Sequence, residues 1–304
     1  VKLQINQTIT DKGAVPPRAR GGDDEWELGL LKSILDEIKS GRVQLPSLPD
    51  VALRVREAVR DEQRNIADVT RLVQVDPALT ARLIQVVNSP LYRGNKKIDN
   101  LHTAITRLGL EATRNLVMSF SLKSLFKPRA KALAERLQQT WRHSCRVGAL
   151  SSVLARLSRG VDPDRAMLGG LVHDIGELPV LQFLEKHDHS PDGVTLEPLL
   201  QKLRGPLGSF VLKIWQFEAD LAVIPRVVED WSRESRGPVD SLDIVQVSHA
   251  HSLFGTPQAA QLPPLTELAA FTKLPISQLG PDASLELLEQ SRQEISDVIQ
   301  ILQS

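Results

Sequence analysis

From residue 24 onward this chain repeats one signal: an apolar residue at every third or fourth position, opened by a capping residue and closed by glycine or proline. Trp26, Leu30, Ile34 and Ile38 recur at a spacing of four behind Asp23-Asp24, and Gly41 ends the run. Asp50 is read as the cap of a second helix carrying Val51, Val55 and Val59. Asn65-Ile66 opens a third, expected to reach Val75, and Asp76-Pro77 restarts the pattern with Asp as cap and Pro in the first turn. Leu79, Leu83, Ile84 and Val87 line that fourth helix until Asn88-Ser89-Pro90 stops it. Further helical patterns run over 98–108, 111–125 and 131–159. Asp162-Pro163 then begins a helix toward His173-Asp174, with Gly176 read as its C-terminal cap. Patterns over 196–216, 221–232 and 242–254 follow, and two more come after Pro263-Pro264, the last over about 284–302. No strand pattern competes after residue 24.

Such a chain has to be all-α. It has 304 residues, of which 41% are hydrophobic but only 4% aromatic, so its core is built from Leu, Val, Ile and Ala. Residues 1–23 read differently. Val1, Leu3 and Ile5 alternate with polar residues, and 12–22 is rich in Gly, Pro and Arg. This stretch is expected to be the tail of an upstream segment plus a linker. The remaining division is a short-helix part over 24–128, a second helical part over 129–254 and a C-terminal helical extension over 255–304.

Charge excludes several roles. Lys plus Arg equals Asp plus Glu at 37 each, which suits neither unaided binding to a nucleic-acid backbone nor an anionic membrane. The basic clusters at Arg93, Lys96 and Lys97, and at Lys123, Lys127, Arg129 and Lys131, are read as solvated surface. With the single cysteine, Cys145, the chain has no internal disulfide and no cysteine-based zinc site. No membrane span or signal peptide is visible, and the chain reads as cytoplasmic.

The chemistry has to come from histidine and carboxylate. His173-Asp174 falls at the end of a helix, where backbone constraint eases and both side chains can turn to one pocket. His143 lies one helix earlier, on the same face as Val147, Leu150 and Leu154. A histidine on an apolar face is more often a hydrogen-bonded core residue than a ligand, and it is the combination with His173-Asp174 that points to a divalent metal. Cys145 and His143 are two residues apart and do not face each other on a helix. No Gly-x-Ser-x-Gly elbow and no phosphate-loop motif appears. Gly169-Gly170 lies inside a helical pattern and is read as permitting close helix packing.

Trp141-Arg142-His143-Ser144, its spacing to Leu171-Val172-His173-Asp174-Ile175-Gly176, and the helical context resemble the HD superfamily. Leu45-Pro46-Ser47-Leu48-Pro49, Val75-Asp76-Pro77-Ala78-Leu79, Val87-Asn88-Ser89-Pro90-Leu91-Tyr92 and Ala104-Ile105-Thr106-Arg107-Leu108-Gly109 are similar to the HDOD domain of bacterial signalling proteins. The resemblance covers about residues 26–254. It implies an all-α HDOD-type domain related to the HD and HD-GYP phosphodiesterases. Members are regulatory modules, many with metal ligands lost, placed beside sensory or other signalling domains.

The resemblance also marks departures. Active HD sites use a further Asp from a late helix, and His251 stands there. More typical HDOD members carry a His where Arg204 falls, and a His-His pair where Val228-Glu229 falls. Active HD-GYP enzymes carry a Lys where Glu177 stands, and a carboxylate facing a phosphate at ~4 Å would oppose it by about 4 kcal/mol at an effective dielectric near 20. Glu177 pointing outward into solvent remains the alternative. The expected ligand set for one divalent metal is therefore His143, His173, Asp174 and His251, with no multinuclear centre. The expectation is a non-catalytic signalling module that works through contacts with signalling proteins or an upstream sensory domain, with no cofactor needed. The alternatives are a divalent-metal phosphohydrolase acting on a nucleotide or cyclic nucleotide, and a nucleotide sensor without hydrolysis.

Overall fold

The helix starts written in the sequence are largely where the chain places them. In the computed structural model, which describes residues 23–43, 45, 47–92, 94, 96–127, 131–187, 193–279 and 281–303, Asn65 and Asp68 form a reciprocal capping box. It opens α3 (Ile66–Gln74), after α1 (Asp23–Lys39) and α2 (Asp50–Arg60). The Asp76 side chain accepts from the Ala78 and Leu79 amides and opens α4 (Pro77–Val87). Asn100 caps α5 (Leu101–Leu108), and α6 (Leu110–Leu122) follows across Gly109. Asp50 is itself helical; Pro49 precedes it and offers no side-chain cap. The alternating and linker-like stretches within 1–22, and the side chain of Trp26, lie outside the described residues. Among those described there is no β-strand.

The second half is built around α7 (Lys131–Leu157), against which α8 (Pro163–Val172) lies. Asp162 caps α8 by accepting from the Asp164 and Arg165 amides. Gly170 and Gly148 meet where the two helices cross. A Cβ at Gly170 would fall 2.7 Å from the Gly148 Cα, so only glycine allows the approach. α9 (Glu177–Lys186), α10 (Gly193–Ile214), α11 (Ala219–Val227) and α12 (Ser241–Leu253) complete this part.

Gly176 does not cap α8 in a left-handed conformation. Its φ is −68°, and it leads into α9. It is glycine because α10 runs directly against it: a Cβ there would lie 1.9 Å from the Arg204 carbonyl oxygen. The C-terminal pattern breaks at Ser291 into α14 (Pro281–Gln290) and α15 (Arg292–Gln303), after the short α13 (Ala269–Lys273).

One apolar core runs from Leu30 on α1, through α2–α11, to Val298, Ile301 and Leu302 on α15. A second gathers Leu150, Leu154, Ile244, Val247 and Phe271 under the C-terminal helices. Polar contacts also tie the early helices to the later ones. Glu37 on α1 is buried and pairs with Lys186 at 2.8 Å and His187 at 3.0 Å. The Arg56 guanidinium donates to the Trp215 carbonyl, and Arg60 pairs with Glu218 at 3.0 Å. No described helix is long and apolar enough to cross a membrane.

Candidate metal and ligand site

Six segments converge on one cavity. On α7, Arg136, Thr140 and His143 are spaced four and three apart, which puts them on one face. His173 and Asp174 are the two residues beyond α8, and Glu177 opens α9. Arg204 comes from α10, Glu229 from just past α11, and His249 from α12. The cavity has a volume of about 360 Å³, and His143, Asp174, Glu177, Arg204, Glu229 and His249 are among its lining residues.

His143, His173 and His249 each bring a ring nitrogen within 4.8 Å of the others. Asp174 Oδ2 lies 3.2 Å from His173 Nε2 and 3.7 Å from His143 Nε2. His173 is fully buried, and its Nδ1 is 2.6 Å from the Gly170 carbonyl, to which it donates. That bond leaves Nε2 directed at the cluster, where it is buried and faces Asp174 Oδ2. The ring of Trp231 stacks on His249 with centroids 5.7 Å apart.

The electrostatics divide the three imidazoles. Burial pushes the pKa of His143 well down, helped by His173, and burial also lowers that of His249. His173 goes the other way. Burial opposes its cation, but the Asp174 carboxylate and the Gly170 carbonyl overcome this and raise its pKa. Burial likewise opposes ionisation of Asp174, yet Arg204 and His173 hold it well below the usual carboxylate range.

Three imidazoles and one carboxylate, with the buried His173 Nε2 and Asp174 Oδ2 facing each other among them, fit a single borderline divalent cation such as Zn²⁺, Fe²⁺ or Ni²⁺. Such an ion, when bound, supplies Lewis acidity toward a phosphoryl oxygen and acidifies water. His143, His173 and Asp174 lie together in the structure. His251 is not in the cluster: His249 is. The two are about 200° apart around the helix, and the His251 ring meets Phe254 edge-on at 5.5 Å instead. Burial drives the His251 pKa down to about 4.

The departures resolve unequally. Glu177 does not point outward; it is 1% exposed and held from three sides. Arg136 donates to it twice, at 2.7 and 3.1 Å, Thr140 donates at 2.5 Å, and Arg204 lies 3.4 Å away. Burial, with the Asp174 charge, raises its pKa against the pull of Arg136. Arg204 also pairs with Glu229, and its Nε is 3.5 Å from Asp174 Oδ1. Glu229 faces the site, but Val228 turns into the apolar core and is no part of it. Arg136, Thr140, Glu197 and His249 are the site residues that the motif reading misses. The first two carry a signal in their spacing to His143.

A buried His-Asp cluster at the meeting of α7, α8 and α12 defines an HD-type helical domain. The HDOD domain profile matches residues 45–229, and the chain belongs to the HDOD family. It is similar to a provisionally described metal-dependent phosphohydrolase from Shewanella amazonensis SB2B, at 28% identity and a TM-score of 0.74, over 91% of this chain and 99% of that one. An HDOD domain protein with unknown function from Geobacter sulfurreducens shares the fold, at 21% identity and a TM-score of 0.63, over 90% of this chain and 99% of that one. An uncharacterized protein of Treponema pallidum (strain Nichols) is 27% identical over 154 residues, which are 49% of this chain and 28% of that protein. This chain therefore matches less than a third of that relative's length.

Proposed function

We propose that this chain is a signal-transduction module that relays or scaffolds through protein contacts and does not turn over a phosphoester. One observation carries the reading: both guanidinium groups in the cavity are committed to carboxylates. Arg136 serves Glu177 and Glu197, and Arg204 serves Asp174, Glu177 and Glu229. Among the described lining residues, four carboxylates face two guanidiniums, so an incoming phosphate meets a net negative wall. Partners of the kind implied are signalling proteins or a sensory domain on the same polypeptide.

The runner-up is a mononuclear metal-dependent phosphohydrolase, favoured by the imidazole cluster with the Asp174 carboxylate beside it. In that case His143, His173, Asp174 and His249 hold the ion. The test is a panel of nucleotides and cyclic nucleotides supplied with Mn²⁺, Fe²⁺, Ni²⁺ or Mg²⁺. The expected result is no turnover beyond that of a His173→Ala variant. Turnover that disappears in His173→Ala overturns the signalling reading in favour of the enzyme.

A further inference from the structure

We propose that the Arg204 guanidinium is a built-in cation occupying the place of a second metal ion, so that the site holds one divalent ion at most. The proposal extends the reading that the imidazole cluster can take a cation.

The carboxylate of Asp174 divides its two oxygens. Oδ2 faces the imidazoles of His173 and His143, at 3.2 and 3.7 Å. Oδ1 faces Arg204 Nε at 3.5 Å. A carboxylate that bridges two cations is disposed in this way, one oxygen to each. The second cation here is a side chain.

Three carboxylates from three separate segments meet that guanidinium. Asp174 follows α8, Glu177 opens α9, and Glu229 follows α11. Arg204 Nε is buried and makes no hydrogen bond, so its approach to Asp174 is governed by charge rather than by donor geometry. Those charges also hold Arg204 firmly protonated, against the cost of burial. A guanidinium carries its charge at every accessible pH and cannot ligate a metal. Metal pairs that share a carboxylate lie about 3.5–4 Å apart. A second dication on the Oδ1 side of Asp174 therefore competes with the guanidinium for the same carboxylate oxygen.

Replacing Arg204 leaves three carboxylates around one gap, an all-oxygen donor set suited to a hard cation such as Mn²⁺. Arg204→His adds an imidazole to that set. The experiment measures Mn²⁺ bound per chain by equilibrium dialysis with elemental analysis, together with EPR, for the wild type, Arg204→His, Arg204→Gln and Arg204→Lys. The expected result is saturation at one Mn²⁺ in the wild type and at two in Arg204→His, the latter with an exchange-coupled signal. Arg204→Gln gains one equivalent in the same way and serves if the histidine variant does not fold. Arg204→Lys, which keeps the charge, stays at the wild-type count.

No Mn²⁺ in the wild type but one in Arg204→His defeats the imidazole-cluster reading and leaves the Arg204 assignment standing. Two ions in the wild type, a gain in Arg204→Lys, or no gain in either neutral-capable variant overturns the assignment.

Discussion

Asp164 offers a sharp test of how this structure answers to pH. It sits in the first turn of α8, 5% exposed, with the Tyr92 hydroxyl donating to its carboxylate. Burial raises its pKa to about 7 and the neighbouring Asp162 adds to the rise, while Tyr92 and Arg156 oppose it. In the unfolded chain the same carboxyl titrates near 3.8. The native state therefore binds the proton more tightly, and stability falls as pH rises from about 4 to about 7. Above about 7 the full penalty is present. At about 1.4 kcal/mol for each tenfold change in proton affinity, it comes to about 4 kcal/mol. Between pH 5 and pH 8 the share still to be lost is about 3 kcal/mol. Asp164→Asn keeps the volume and an acceptor for Tyr92 but cannot ionise. Urea denaturation of both proteins across that range gives two curves, and their difference cancels the titration of the buried histidines. The asparagine variant is expected to gain about 3 kcal/mol on the wild type between pH 5 and pH 8. Parallel curves would refute the burial argument.

Three other outcomes are expected. Glu177→Lys places a cation between Arg136 and Arg204 and breaks a buried ion pair, at a cost of about 3–5 kcal/mol in chemical denaturation; wild-type stability in this variant contradicts the inward placement of Glu177. Gly176→Ala forces a Cβ to 1.9 Å from the Arg204 carbonyl oxygen, so α9 and α10 have to part. That costs ~3 kcal/mol or more, read as a fall in melting temperature. His249→Ala weakens Mn²⁺ or Zn²⁺ binding at least tenfold, the scale on which even outer-shell changes act. His251→Ala leaves it within about twofold in the same titration, and equal losses from the two variants would remove His249 from the ligand set.

Much of the helix layout was legible because it is local. Asn65, Asp76 and Asp162 cap helices through their own side chains to amides two or three residues on. The His-Asp pair was legible for the same reason: its members are adjacent, and His143 shares a helix face with apolar neighbours. Gly176 was misread because its cause is not local. Nothing in the residues around it says that α10 passes within contact of it, and a glycine after a helix most often signals a left-handed cap. Glu177 left two orientations open, and its burial was settled by Arg136, which lies 41 residues away.

The residues alone determined that this chain is helical, that it carries the HDOD motifs, and that His143, His173 and Asp174 were the ones to watch. Only the tertiary structure decided which histidine of α12 joins them. Helix periodicity assigns a side chain to a face when one face is apolar and the other polar. α12 is buried on every side from Asp243 to Ser252, so His249 and His251 look alike in sequence although they point about 200° apart. The docking of α7 and α8 against one side of that helix turned His249 toward the cluster and His251 away from it.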